Sequence, residues 1–336
     1  MSRLELRIAV EKLRLAAPFH ISGFVFEEQD VVIATLDDGR HQGRGEASGV
    51  YYLKDTAQTM IAAIEAKRAQ IESGIDRAGL RELLPPGGAR NAVDCALWEL
   101  DARRSATPVW KLAGVPAPRP LVTTFTLGAD SPQKMAAGAL NYAQARSLKL
   151  KLTGDLDLDI ARVEAVRAAR PDCWIGVDAN QGYGIGALDP LIEALTRCQV
   201  SLLEQPIKRD RESDLEGYIS TIPIAADESA LCLADLPGLV GRFQVVNIKL
   251  DKCGGLTEGL AMAREARRLG LRVMVGNMVG SSLAMAPAFV LGQLCDVVDL
   301  DGPIFLSKDR VPGMKYVDGT AWSDDRIWGA RDAAPA

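Results

Sequence analysis

Six strand-like segments of this chain end at nearly constant intervals, and five of them end on or beside a charged residue. Lys151, Asp178, Glu204, Asp227, Lys249 and Gly276 lie 27, 26, 23, 22 and 27 residues apart. Apolar runs lead into these positions, as in Trp174-Ile-Gly-Val-Asp178, Val200-Ser-Leu-Leu-Glu204 and Val245-Val-Asn-Ile-Lys249. Helical periodicity follows each of them, predicting helices near 159–170, 189–198, 212–220, 231–237, 256–269 and 282–293. One strand, one helix and their turns take about this length, so the strands run near-parallel. Leu121-Val-Thr-Thr-Phe-Thr, followed by a helix near 132–146, and Asp296-Val-Val-Asp-Leu-Asp301 bring the strands to eight. Eight parallel strands close into a barrel, so the expected fold is α/β, a (β/α)7β modified TIM barrel. An open doubly wound sheet is the runner-up, disfavoured because no Gly-x-Gly-x-x-Gly follows the first strand.

With 336 residues the chain is long enough for a second unit, and residues 1–116 read differently from the rest. Leu4-Glu-Leu-Arg-Ile-Ala-Val alternates, and a second strand, 30–36, runs into the hairpin signal Asp37-Asp-Gly-Arg40 and a third strand toward Gly45. The stretch 17–26 is apolar yet loop-like, which suits a lid over a site. Asp55-Thr56 offers a cap for a helix to Ser73, Pro85-Pro-Gly-Gly88 breaks the pattern, and 89–103 is helical again. We expect an α+β capping domain over 1–116 and the barrel over 117–321. Residues 322–336 are expected to pack back on the cap and then fray.

Composition removes several chemistries. Only two histidines are present, His20 and His41, so a Ser-His-Asp triad or multi-histidine metal site is ruled out. The six cysteines form no CxxC pair and read as buried thiols. Net charge is -5 with the signs interspersed, so neither nucleic acid nor a membrane surface is an expected partner. The first residues lack the apolar run of a signal peptide, and a cytoplasmic, homo-oligomeric protein is expected.

In a parallel barrel all strand ends share one mouth, where active sites lie. Three ionised carboxylates there, Asp178, Glu204 and Asp227, would repel one another unless a cation sat between them. Hard oxygen ligands without Cys or His favour Mg²⁺, with Mn²⁺ as the alternative. A single Asp at such a junction is more simply a helix cap, but three at consecutive strand ends point to metal. Lys149 and Lys151 point to one face of their strand, and Lys249 stands half a barrel turn away. Positive charge from the metal and from Lys149 is expected to lower Lys151 and Lys249 toward neutrality and make them bases on opposite faces of a substrate. A metal gripping a carboxylate between two bases suits abstraction of the adjacent proton, through an enediolate, and return to the other face. Asp299 and Asp301 share a face of the eighth strand, where two carboxylates suit an ammonium group.

Lys149-x-Lys151, Val177-Asp-Ala-Asn180, Glu204-Gln-Pro206, Asp227-Glu-Ser229 and Asn247-Ile-Lys-Leu-Asp-Lys-Cys-Gly-Gly255 together resemble the muconate-lactonizing subgroup of the enolase superfamily. The resemblance spans nearly the whole chain. It implies that Lys151 and Lys249 are the acid/base pair and that Lys149 tunes Lys151 and holds a substrate carboxylate. It also implies that Asp178, Glu204 and Asp227 bind Mg²⁺. The Asp299-x-Asp301 pair is similar to the one that receives the free α-amino group in dipeptide epimerases. Residues 89–98 and 248–258 resemble the L-Ala-D/L-Glu epimerases among them. The resemblance has one departure. Those enzymes carry an arginine for the glutamate side chain in the loop after Pro-Phe, and Pro18-Phe-His-Ile-Ser-Gly-Phe24 has none. The implied substrate is L-Ala-D/L-Glu or an Ala-X dipeptide with apolar X, lined by Phe19, Phe24 and Phe26. Rival readings are an N-acylamino acid racemase, an o-succinylbenzoate synthase or cycloisomerase, a Schiff-base aldolase, and a non-catalytic barrel.

Overall fold

The computed structural model describes residues 3–21 and 24–331, without the side chains of residues 19–21 and 24. Three antiparallel strands open the chain: β1 (Glu5–Ile21), β2 (Phe24–Asp37) and β3 (Gln42–Ala47). The first two are much longer than the alternation at residues 4–10 and 30–36 implies. Residues 17–21 and 24–26, expected to be a loop, are strand: Phe19 pairs with Phe26 and Ile21 with Phe24, beyond a register shift between Arg14 and Phe19. Aromatic and β-branched residues on both sides favour the extended backbone over a coil. Asp37 to Gln42 makes the expected turn, with Gly39 at φ 85.

The long helix Gly88–Ser105 lies across β3 and is buried over most of its length. Its approach explains Gly43 and Gly45. A Cβ there would lie 2.1 Å from the Ala96 carbonyl oxygen and 2.0 Å from that of Ala92. Thr56 caps a helix as expected, but that helix ends at Glu65, and a separate short one runs Arg68–Glu72.

The stretch at 121–126 splits. β4 (Leu121–Val122) leaves the barrel to pair with a C-terminal strand, and β5 (Thr124–Leu127) begins the barrel. The barrel continues through β6 (Ser147–Lys151), β7 (Trp174–Asp178), β8 (Leu202–Glu204), β9 (Ile224–Ala226), β10 (Val245–Ile248), β11 (Arg272–Val275) and β12 (Val297–Val298). Neighbours in sequence are neighbours in the sheet, all parallel. β13 (Lys315–Val317) and β14 (Thr320–Trp322) complete the small sheet with β4. The helices expected near 212–220 and 231–237 are 3₁₀ segments, a shorter Glu212–Leu215 and Leu233–Leu239. Gly217 in the left-handed region and Pro237 stop either from propagating as an α-helix.

β5 and β12 are the two ends of the sheet, and side chains close the seam between them. The Thr124 hydroxyl donates to Asp299 Oδ1 at 2.5 Å, and the Thr126 N–H donates to Asp301 Oδ2 at 2.7 Å. The Leu300 N–H donates to the Thr123 hydroxyl at 2.9 Å. Near the opposite end of the barrel Leu202, Ala225, Val245 and Met274 form a separate buried cluster. The C-terminal segment meets the first strands and the long helix: the Trp328 indole N–H donates to the carbonyls of Arg44 and Cys95. Residues 332–336 lie outside the described residues. No described helix is long and apolar enough to cross a membrane.

Candidate active site

Strand register assembles the site. Lys151 pairs with Asp178, and Asp178 with Glu204, so three functional side chains stand in one row across β6, β7 and β8. Glu204 pairs in turn with Ala225, and Asp227 lies two residues further on, on the same face. The carboxylates of Asp178, Glu204 and Asp227 are almost fully buried, with one oxygen from each within 4.8 Å of the others. Three buried carboxylates with no nitrogen or sulfur donor fit a hard divalent cation.

Lysines grip the triad from both ends. Lys151 Nζ lies 2.7 Å from Asp178 Oδ2, and Lys249 Nζ lies 2.7 Å from Asp227 Oδ2. These lysines come from the second and sixth strand positions of the barrel. Lys149 Nζ lies 2.8 Å from Glu204 Oε2, 2.9 Å from Asp299 Oδ2 and 3.3 Å from Asp178 Oδ2. It joins the triad to the Asp299-x-Asp301 pair. All six sequence-expected charges of triad and lysines therefore converge, with Asp299 and Asp301 beside them.

Lys249, expected to be lowered, is raised where it meets Asp227 directly. Burial pulls Lys149 and Lys249 down, but the carboxylates beside them override it, and both are held above the usual lysine range. The expectation placed a cation next to the lysines; here they meet the carboxylates directly, and the sign reverses. Among the acids, burial and the charge of Asp178 push Glu204 up to about 7. Asp178 and Asp227 resist burial because their lysines hold them below the usual carboxylate range. Asp301 is pushed up to about 7 by burial and by the charge of Asp299.

Several supporting residues had no role assigned from sequence. Lys252 is fully buried, and its ammonium donates to Asp227 Oδ1, the Asp227 carbonyl and the Asn247 carbonyl at 2.5, 2.5 and 3.0 Å. Asn247 Nδ2 donates to Glu204 Oε1 at 2.9 Å. Both sit in the motif at 247–255, but nothing in its spacing says which carboxylate each one meets. Asp251 Oδ1 accepts the N–H groups of Ser48 and Gly49 at 2.8 and 3.1 Å, tying the barrel to the turn that carries Tyr51 and Tyr52. Those tyrosines line the pocket with Phe26, Met278, Val279 and Phe305. Phe26 is where the aromatic reading expected it. Phe19 and Phe24 have side chains outside the described residues, as does His20.

A barrel whose mouth gathers three carboxylates between two lysines, under a separate antiparallel cap, defines a class. The chain belongs to the mandelate racemase / muconate lactonizing enzyme family. The model of that family's N-terminal domain matches residues 3–114, and the enolase C-terminal domain-like model matches residues 133–302. The L-Ala-D/L-Glu epimerase of Escherichia coli is 37% identical over 313 residues, 93% of this chain and 98% of that one. The N-acetyl-D-glutamate racemase of a Pseudoalteromonas species is 43% identical over 236 residues, 70% of this chain and 74% of that one. A solved structure of an enolase family member from Agrobacterium tumefaciens, with homology to dipeptide epimerases, holds sodium and L-Ala-L-Glu. It is 38% identical, superimposes with a TM-score of 0.93, and covers 97% of this chain and 100% of its own.

Proposed function

We propose that this chain is a dipeptide epimerase that inverts the α-carbon of the C-terminal residue by two-base 1,1-proton transfer. The observation that carries this is the placement of Lys151 and Lys249 at the two ends of one carboxylate triad, with Asp301 beside them at the seam. Asp178, Glu204 and Asp227 are the residues that would hold Mg²⁺, on the donor set described above. Bound there, the ion would supply the charge that makes the carbon next to a carboxylate acidic. Lys151 and Lys249 then move the proton, one removing it from one face and the other returning one to the opposite face. Lys149 orients the substrate carboxylate, and Asp301 takes the α-ammonium.

The pocket favours an apolar second residue over glutamate. Its described lining includes no arginine, and each of its three lysines already faces a carboxylate. Among the described residues, an acidic side chain buried there would find no cation without a carboxylate already beside it. Dipeptides screened for α-proton exchange in D₂O, with and without Mg²⁺, test both parts. If Ala-Glu exchanges far faster than Ala-Phe or Ala-Leu, the apolar preference is wrong.

The similarity to an N-acetylglutamate racemase favours a second reading, an N-acylamino acid racemase using the same lysines. Such a substrate brings no ammonium for Asp301. Asp301→Asn is expected to cut dipeptide exchange by two orders of magnitude or more, on the order of what loss of a buried charge pair costs. Unchanged exchange, or faster exchange of N-acetyl-glutamate than of any dipeptide, would favour the rival. A cytoplasmic location and a homo-oligomer belong to the same proposal. Six free cysteines suit the former, and fractionation and sedimentation test the two.

A further inference from the structure

We propose that Glu46, on β3 of the cap, is a positioning residue. Through the turn 277–281 it fixes the Met278–Val279 wall of the catalytic pocket, and so sets how large a C-terminal side chain the pocket accepts. The inference rests on the dipeptide reading above. Glu46 is buried, and the hydrogen bonds its carboxylate accepts come from outside the cap. Oε1 accepts the Ser281 N–H at 2.7 Å, and Oε2 accepts the Ser281 hydroxyl. Arg310 donates to Oε2 from Nε at 3.1 Å and from Nη2 at 2.8 Å, and its Nε also donates to Ser281 Oγ at 2.6 Å. The same guanidinium holds Glu11 of β1 at 2.8 Å. Burying a carboxylate is costly, and these bonds offset the cost only while Ser281 and Arg310 stay in place.

The turn held in this way is a wall of the pocket, lined by Asn277, Met278 and Val279. It starts at Gly276, where a built Cβ lies 3.0 Å from Lys249 Cε, and ends at Ser281, where the helix Ser282–Gly292 begins. Asn277 Nδ2 donates to the Asp299 carbonyl at 2.6 Å, which ties the near end of the turn to the end of the eighth barrel strand. From the cap, the Ser48 hydroxyl donates to the Val279 carbonyl, two residues before the amide that Glu46 takes. Met278 and Val279 therefore stand between one barrel anchor and two cap anchors. Their spacing from Phe26, Tyr51 and Tyr52, the cap residues that line the same pocket, is set by the cap anchors. The ion pairs of the triad and its lysines run through other residues, so loosening Glu46 widens the pocket without moving the bases. Glutamine is no substitute for Glu46. Its oxygen can still take the Ser281 N–H, but its amide nitrogen would meet the donors of Arg310 and Ser281.

The test follows α-proton exchange of L-Ala-X in D₂O with Mg²⁺, with X alanine, leucine or phenylalanine. Glu46→Gln should raise KM for the leucine and phenylalanine dipeptides about tenfold relative to KM for Ala-Ala, the usual worth of a methylene or two in a fitted pocket, with kcat within about threefold of wild type. Arg310→Met should move the same ratio in the same direction, and Arg310→Lys, which keeps a cation beside Glu46, should move it less. The double variant Glu46→Gln/Arg310→Met removes both charges of the buried pair, so it should melt nearer to wild type than either single variant while the ratio stays shifted. A ratio that returns to wild type together with the melting temperature shows a role in stability alone and overturns the inference. So does a KM that rises equally for all three dipeptides, or a fall in kcat with every KM unchanged. If wild type exchanges the dipeptides and no variant moves the ratio, only this inference fails, whereas exchange of no dipeptide by wild type sinks the epimerase reading beneath it.

Discussion

Gly276, at the end of β11, sits where a side chain would strike the machinery from behind. A Cβ built there lies 2.6 Å from Asn247 Oδ1, 2.9 Å from Asn247 Nδ2 and 3.0 Å from Lys249 Cε. Ordinary contacts are about 3.5–4.0 Å, so Gly276→Ala requires Asn247 and the Lys249 stem to give way by roughly half an ångström to one ångström. Overpacking of this kind costs about 1–3 kcal/mol of stability. The kinetic effect should be larger, because displacing a reacting group by about 1 Å can cost on the order of a hundredfold. Asn247 also holds Glu204 at 2.9 Å, so the metal ligand moves with it. We expect kcat for α-proton exchange to fall about a hundredfold, most for the epimer whose proton Lys249 handles. Mg²⁺ affinity, read by titration calorimetry, should fall by a smaller factor. The assay is exchange of each epimer separately in D₂O, on protein shown to be folded by near-ultraviolet dichroism. If both epimers exchange within threefold of wild type, the close packing at Gly276 does not place Lys249 and the reasoning fails.

Other outcomes follow from the same geometry. Lys252→Met leaves Asp227 with one cation fewer and should destabilise the metal-free protein by about 3–5 kcal/mol, the usual cost of breaking a buried pair. Added Mg²⁺ should shrink that deficit in thermal melts, and an equal deficit with and without the ion would refute the pairing. Thr124→Val removes the hydroxyl donor to Asp299 and should cost about 1.5–3 kcal/mol in urea unfolding, with a raised KM because Asp299 steadies Lys149. Asp251 gives a pH signature. Burial pushes its carboxyl up to about 7 against the pull of the Gly49 and Ser48 amides. A folded value above the unfolded one means its stabilising contribution is full below about pH 4 and is lost as pH rises through about 7. Asp251→Asn can still accept those amides and does not titrate, so its melting temperature should rise relative to wild type between pH 5 and 8. A constant difference would show that Asp251 does not titrate there. EDTA should abolish exchange and Mg²⁺ restore it, and activity indifferent to EDTA would point to Schiff-base chemistry instead.

The sequence by itself determined the barrel, the triad and the three lysines of its mouth. Strand periodicity is local, and a charge closing each apolar run is visible without knowing its neighbours. Regular spacing then implies parallel strands, and parallel strands bring their ends to one face. Asp299 and Asp301 were legible as a pair by the same period-2 rule, but their dual role was not. Their bonds to Thr124 and Thr126 span 175 residues and exist only because the sheet curls until β12 meets β5. Tertiary structure also decided the direction in which Lys149 and Lys249 are shifted. Desolvation and ion pairing oppose each other at Lys149 and Lys249, and their balance depends on distances no spacing encodes. The strand pairing of 17–21 with 24–26 went unread because each side's partner supplies half the reason for it to be extended. The same holds for Lys252 and Asn247, whose value lies in which oxygen each one reaches. Residue type and period are properties of the chain, whereas the identity of a hydrogen-bond partner is a property of closure.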